Sequence, residues 1–228
     1  LVIFGVVRMV GSIAMIIGSG EVEFIAERNN FWRVWMDHGV WPFLTVKLYM
    51  EQTGDVEILG QKVPYFKDRQ VERGSALDVQ WDEAYGSRQK DADGAVYYGT
   101  VLEHLLLQNL CAFYEAGEHN HCRLRGADWN DALDMAQERG ESVAFTNAYA
   151  GNLRELADCI MRYAEKTGSK EVPVAEEMLQ LLGMEEEKYG SREEKIRVLA
   201  QYGASCRHTV SGKTAVLDAG ELAGNIRG

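Results

Sequence analysis

Three aspartates, a tryptophan and an asparagine lie within nine residues of this sequence, GADWNDALD at 126–134. Such a set could cleave a sugar, because a glycosidic bond breaks when a carboxylic acid protonates the leaving oxygen. Asp131 beside Trp129 fits that role, since an apolar ring packs against a sugar and raises the pKa of a neighbouring carboxyl group. Asp128 and Asn130 can hydrogen-bond sugar hydroxyls. From spacing alone, an aspartate-rich N-cap with a core tryptophan remains the alternative.

Other motifs in the chain favour metal or nucleotide sites only weakly. The acidic stretch does not fit a calcium-binding loop, because three of its positions carry unsuitable residues, Ala132, Leu133 and Arg139. The SGKT at 211–214 lacks the first glycine of a phosphate-binding loop, since Arg207 stands there. EHNHC at 118–122 has two histidines and a cysteine but no second ligand cluster, which indicates a polar loop. We therefore expect no metal site.

The composition is that of a globular protein, with 228 residues, 46% of them hydrophobic, and a formal net charge of −11. No lysine or arginine stripe is present, which argues against nucleic acid and against an anionic membrane surface as partners. The four cysteines form no CxxC pair, so we interpret them as reduced thiols of a cytoplasmic protein.

Residues 1–18, LVIFGVVRMVGSIAMIIG, have almost the length of a membrane span but are interrupted by charged and glycine positions, Gly5, Arg8 and Gly11. They also lack the basic start and cleavage site of a secretion signal, so a buried helix is the favoured interpretation. The sequence does not begin with methionine and ends where a helical pattern has just begun. We therefore expect a fragment with more protein on both sides.

Helical patterns dominate the rest of the chain, so the predicted class is mainly α. Each predicted helix has a start or stop signal, and the five cover residues 42–53, 56–63, 100–116, 147–162 and 192–202. The polar, glycine-rich stretch 69–99 reads as a long loop, which we interpret as a substrate loop. Only 208–218 reads as a hairpin.

GADWNDALDMAQERGESVAF, residues 126–145, resembles the signature of glycoside hydrolase family 94, the inverting phosphorylases of β-linked glucosides. WMDHGVWPFLTVKLYMEQTGDVEIL at 35–59 and LEHLLLQNL at 102–110 resemble two further segments of that family. RNNFWRVWMDHGVWPF at 28–43 together with GEHNHCRLRGADWNDALDMA at 117–136 is most similar to the 1,2-β-oligoglucan phosphorylase branch.

The resemblance implies an (α/α)6 barrel catalytic domain, of which residues 1–228 would be an incomplete portion, normally preceded by a large β-sandwich domain. By the same resemblance Asp131 is the general acid, and Trp129 lines the subsite of the non-reducing sugar. Inorganic phosphate is the co-substrate; it attacks the anomeric carbon and yields α-glucose 1-phosphate with inversion. No cofactor is implied, and the expected substrates are β-1,2-glucooligosaccharides.

The chain departs from the family pattern at several positions. Ala127 and Ala132 stand where glycine is common, and Arg8 is followed by Met9 where the family has an Arg-Asp pair that binds the glucosyl unit. The phosphate-binding residues of the family are expected beyond Gly228. The chain alone is therefore expected to be inactive.

Three residues near the first family segment have two interpretations each. Asp37 could contact a sugar hydroxyl or cap the following helix, Trp41 could stack on a sugar or fill the core, and Arg33 could bind substrate or pair with Asp37. Arg8 is kept as a substrate-binding candidate. His104 is predicted to be a core histidine, and Glu141 to support the loop structurally.

Three alternatives to a β-1,2-oligoglucan phosphorylase remain open. The chain could belong to a cellobiose-type phosphorylase, to a module of a cyclic β-1,2-glucan synthase, or to a non-catalytic carbohydrate-binding domain. An oligosaccharide and phosphate are the expected partners, and a homodimer is left open.

Overall fold

The computed structural model describes residues 39–72, 76–125, 136, 138–183 and 191–228. Five α-helices and eight short strands lie within these ranges. The helices are α1 (Val40–Thr53), α2 (Val101–Tyr114), α3 (Val143–Thr167), α4 (Arg192–Ser205) and α5 (Ala219–Arg227). The strands are β1 (Lys62–Pro64), β2 (Gln70–Val71), β3 (Ala76–Leu77), β4 (Tyr98–Thr100), β5 (Cys122–Arg123), β6 (Glu141–Ser142), β7 (Glu171–Ala175) and β8 (Thr214–Asp218).

The prediction of a mainly α chain is confirmed for the described residues. Hydroxyl side chains cap three of the helices, because each accepts a hydrogen bond from a backbone N–H of the first turn. They are Thr100 before α2, Ser142 before α3 and Ser191 before α4. Gly54 ends α1 in the left-handed conformation, with φ of +73°, as a glycine after a helix permits.

Several predicted boundaries are wrong. Asp55 accepts a hydrogen bond from the Tyr49 hydroxyl and caps no helix; a short 3₁₀ turn, Val56–Gly60, and strand β1 follow it. Helix α3 begins at residue 143, four residues before the predicted start, because Ser142 supplies the cap. Gly203 lies inside α4 and does not end it.

All four sheets are two-stranded and antiparallel, pairing β1 with β4, β2 with β3, β5 with β6, and β7 with β8. The last pair corrects the predicted hairpin at 208–218, since β8 pairs with the distant strand β7. Strands β2 and β3 and the single bridge between Lys90 and Val96 lie within the predicted loop 69–99, and two further bridges join the loop to Phe66 and Val210. That stretch therefore contains hydrogen-bonded structure.

The core is built around α2, in which every residue except Phe113 is buried. Helices α1, α3 and α4 contact it, as do β4, β5 and β7. The apolar stripe of α3 faces α2 on one side and α5 on another, and its buried residues include Leu153, Leu156 and Ile160. Burial of such side chains is the main favourable term in folding.

A polar contact in this core ties three helices together. The Asn152 amide of α3 donates to the Asn109 side-chain oxygen of α2 at 3.1 Å and to the carbonyl of Val40 at 3.3 Å. The Asn109 amide donates to the carbonyl of Leu105 at 2.8 Å. The start of α1 is therefore fixed to α2 and α3 by directional bonds.

The apolar stretch 1–18 lies outside the described residues, so its prediction as a buried helix stays a prediction. Within the described ranges, no helix combines the length and the apolar composition needed to cross a bilayer.

We expect Asn152→Ala to lower the free energy of unfolding by about 1–3 kcal/mol, because it leaves two buried acceptors without their donor. Asn147→Ala is the matched control, since Asn147 lies on the same helix with its amide exposed and should change stability by less than about 0.5 kcal/mol. Denaturant unfolding of both variants measures the difference. Equal losses would contradict a structural role for the buried amide.

Candidate functional site

Most of the predicted site residues lie outside the described part of the chain. They are Asp131, Trp129, Asp128, Asn130, Asp37, Arg33 and Arg8. The described neighbours of the 126–135 segment, and Trp41, show how the chain approaches that segment.

Trp41 is the second residue of α1, and its side chain is 48% exposed. The preceding residue, Val40, is buried with Ala112 of α2, Cys122 of β5 and Tyr149 of α3 in a small separate core. The start of α1 and strand β5 therefore meet at one point. The helix that carries Trp41 therefore lies close to β5, the last strand before the 126–135 segment. Trp41 does not fill the core.

Both flanks of the 126–135 segment belong to one antiparallel pair. Cys122 pairs with Ser142 and Arg123 pairs with Glu141, and the N–H of Leu124 donates to the carbonyl of Gly140 at 2.9 Å. Gly140 has no room for a side chain, since a Cβ would lie 2.5 Å from the carbonyl oxygen of Ala136. The described residues on the two sides of the 126–135 segment are therefore hydrogen-bonded to each other.

Glu141 holds the turn that precedes β5, an arrangement we call the Glu141 clasp. Its carboxylate accepts hydrogen bonds from the backbone N–H of His119 at 2.9 Å, from that of His121 at 3.1 Å and from the His119 ring at 2.7 Å. Burial opposes ionisation of Glu141, but these hydrogen bonds outweigh it and lower its pKa. The turn residue Gly117 must be glycine, because a Cβ there would lie 2.3 Å from Glu141 Cγ. The contacts agree with the predicted supporting role of Glu141.

Among the described residues, no group of three or more His, Cys, Asp or Glu side chains is placed to hold a metal ion.

Glu103 of α2 is a buried carboxylate that the sequence interpretation missed. It accepts hydrogen bonds from the hydroxyls of Tyr65 at 2.7 Å and Tyr97 at 3.2 Å, and from the backbone N–H of Ala175 at 3.0 Å. Burial raises its pKa to about 6 despite these bonds. Glu103 and its three partners line a small pocket of about 40 Å³, which is large enough to hold water.

His104, the next residue, is a core histidine, as predicted. Its ring stacks on Tyr65 with centroids 3.6 Å apart, and Nε2 lies 3.2 Å from the carbonyl oxygen of Val63. Nδ1 is buried without a partner among the described residues. Complete burial lowers the pKa of His104 to about 3, so the ring is neutral near pH 7.

A second buried ionic group, which we call the Asp78 cluster, joins the 69–99 stretch to the segment after α4. Lys67 Nζ lies 2.9 Å and His208 Nδ1 2.8 Å from the same Asp78 oxygen, with Lys67 and Asp78 buried. Burial opposes ionisation of Asp78, but hydrogen bonds from Lys67 and His208 lower its pKa. The Tyr85 hydroxyl and the Gln89 amide both donate to the carbonyl of His208. The predicted substrate loop is therefore anchored to the segment that follows α4.

Comparison with known proteins shows two distant and partial similarities. No protein-family model matches the chain. Solabiose phosphorylase of Paenibacillus borealis is 29% identical over 150 residues, which cover 65% of this chain and 15% of that enzyme. The cyclic β-(1,2)-glucan synthase NdvB of Rhizobium meliloti (strain 1021) is 31% identical over 120 residues, 52% of this chain and 4% of that enzyme.

The chain thus matches only a small part of the length of either relative. One relative is by its name a phosphorylase and the other a glucan synthase, which relates this chain to carbohydrate-active enzymes. Both fit the resemblance to glycoside hydrolase family 94 in kind, and neither distinguishes the 1,2-β-oligoglucan branch from others.

The neutral, buried His104 makes a prediction about pH. The unfolded chain takes up a proton near pH 6.5 and the folded protein only near pH 3, so acid favours the unfolded state between these values. Glu103 acts oppositely, since its raised pKa lowers stability as the pH rises from about 4.5 to 6. We expect the free energy of unfolding to fall by about 2–3 kcal/mol more in wild type than in His104→Gln between pH 7 and pH 4.5. Parallel pH curves from denaturant unfolding would refute a neutral His104.

Proposed function

We propose that this chain is part of the catalytic domain of an inverting glycoside phosphorylase that acts on β-1,2-glucooligosaccharides. In this proposal Asp131 is the general acid and Trp129 packs against the sugar, with Asp128 and Asn130 on its hydroxyls. The observation that carries the proposal is the sequence GADWNDALD followed by GESV, at the family spacing. The described hairpin supports it, because the glutamate of GESV is Glu141, whose clasp fixes the turn before the acidic segment.

The reaction follows from one acid and one external nucleophile. Asp131 donates its proton to the glycosidic oxygen, which leaves with the shortened oligosaccharide. Phosphate forms the new bond to the anomeric carbon from the opposite face and gives α-glucose 1-phosphate with inversion. Because phosphate supplies the nucleophile, a second catalytic carboxylate is not required.

Other parts of the proposal concern the surroundings of this chain. We propose that the helices belong to an (α/α)6 barrel and that the protein acts in the cytoplasm with an oligosaccharide and phosphate as its partners. The exposed ring of Trp41, at the start of α1 beside β5, is proposed to face the substrate together with Asp37, Arg33 and Arg8. The stretch 69–99 is proposed to contact the sugar beyond the cleaved bond.

A module of a cyclic β-1,2-glucan synthase is the second candidate, favoured by the similarity to NdvB over 120 residues. Such a module would also act on β-1,2-linked glucose. A cellobiose-type phosphorylase would share the acid but prefer another linkage. A non-catalytic carbohydrate-binding domain, which Met9 in place of an aspartate favours, would bind sugar without turnover.

The first experiment incubates the expressed protein that contains this chain with β-1,2-glucooligosaccharides, with and without phosphate, and measures glucose 1-phosphate and free glucose. Phosphate-dependent release of glucose 1-phosphate is expected. Release of free glucose in the absence of phosphate would show that the enzyme is a hydrolase. Release of glucose 1-phosphate from cellobiose alone would indicate a cellobiose-type phosphorylase. No product from either sugar would favour the non-catalytic carbohydrate-binding domain.

We expect Asp131→Asn to lower turnover by about 10²–10⁴-fold, the usual contribution of a general acid. Oligosaccharide binding, measured by tryptophan fluorescence, should persist because the amide keeps the shape of the carboxyl group. Asp134→Asn is the matched control, since it makes the same change three residues further on and should leave turnover within about threefold. Unchanged turnover in Asp131→Asn would show that another group is the acid.

A further inference from the structure

Arg125, the last described residue before the acidic segment, has a backbone conformation that side chains disfavour. Its φ is +52°, in the left-handed region where a Cβ crowds the backbone and glycine is usual. Gly126 follows immediately, so the strained position is occupied by arginine although a glycine stands next to it in the sequence. Such a conformation persists only where the surrounding structure enforces it.

The Arg125 side chain forms an ion pair with Glu115. The Arg125 guanidinium donates through Nε and Nη2 to one oxygen of Glu115, whose side chain is 4% exposed. A buried carboxylate requires a paired cation, because an unpaired charge there is costly. Glu115 itself is fixed at the end of α2, since its N–H donates to the carbonyl of Cys111 and its carbonyl accepts from Arg123. The conformation of Arg125 is thus coupled to the most buried helix.

The residues that follow the acidic segment are fixed to the same hairpin as Arg125. Gly140 pairs with Leu124, and Glu141 holds the turn before β5. The backbone torsion of residue 125 is therefore the last described torsion that sets the direction in which the chain enters the acidic segment.

We infer that Arg125, held by Glu115, is a positioning residue for the acid of the reaction. This inference rests on the proposed function. In this role Arg125 does not act on the reacting atoms. It fixes the direction of the chain that leads to Asp131. A displacement of a catalytic group by about 1 Å costs about 10²-fold in rate, so a torsion at this point has a large effect on turnover.

Arg125→Gly is the informative variant, because glycine adopts the same φ without strain but loses the ion pair and the restriction to one conformation. We expect oligosaccharide turnover to fall by about 10–10²-fold, and we expect the melting temperature to fall as well, because Glu115 is left buried without this cation. Arg125→Lys should recover part of the loss, since lysine restores the charge without the planar fork. Arg227→Gln is the control, because it removes an ion pair with Asp158 between α3 and α5, away from the segment, and turnover should not change.

Leaving-group dependence separates positioning of the acid from general damage to the structure. Fluoride leaves without a proton, so phosphorolysis of β-glucosyl fluoride does not need the acid. If Arg125 positions Asp131, Arg125→Gly and Asp131→Asn both lose turnover on the oligosaccharide and retain it on the fluoride. Glu115→Gln should behave in the same way, since it removes the charge that holds Arg125.

Three results would overturn the inference. Full oligosaccharide turnover in Arg125→Gly would overturn the positioning role alone. Parallel losses of turnover on the oligosaccharide and on the fluoride would reduce the ion pair to a structural contact. Absence of phosphate-dependent release by the wild type from either substrate would overturn the proposed function and this inference together.

Discussion

The complete burial of helix α2 is the constraint on which the described structure depends. A helix with every residue but Phe113 buried must satisfy most of its polar side chains inside the protein, because an unpaired buried group is costly. Glu103 meets two tyrosines and a strand N–H, and Asn109 meets Asn152. Each of these bonds requires a particular neighbour at a particular place. The polar groups of α2 therefore select which elements surround it, whereas apolar contacts alone would allow several arrangements.

The same constraint explains the placement of the hairpin at the end of α2. Glu115 ends the helix as a buried carboxylate, so the chain that follows must supply a cation, and Arg125 does so. Ala112 and Cys122 share a small core with Val40, which joins the hairpin to the start of α1. The hairpin that precedes the acidic segment and the helix that carries Trp41 are thus set by the packing around one helix.

Local signals in the sequence predicted the helices, because caps and glycine stops act between residues a few positions apart. Thr100, Ser191 and Gly54 worked in this way. The pairing of β7 with β8 could not be predicted, since its two strands are separated by a 3₁₀ turn and helix α4. Local signals also misplaced the start of α3, where Asn147 and Ser142 are both suitable caps and Ser142 is the one used.

In the candidate site, too, the residues that depend on local sequence could be predicted, and those that depend on distant partners could not. The acidic segment and its supporting glutamate could be identified from the sequence because their residues lie close together along the chain. Glu103, Arg125 and Asp78 were missed, because each owes its role to a partner far along the chain or to complete burial. A charged residue within a strongly apolar helix, as Glu103 is, is the one signal that could have identified such a group. Glu103 has three hydrogen-bond partners within the protein, and the pocket that it lines has a volume of only about 40 Å³. Glu141 is no better suited as an acid, since its hydrogen bonds lower its pKa and favour the ionised form. Both carboxylates are therefore engaged by structural partners, and under the proposed function proton donation falls to Asp131.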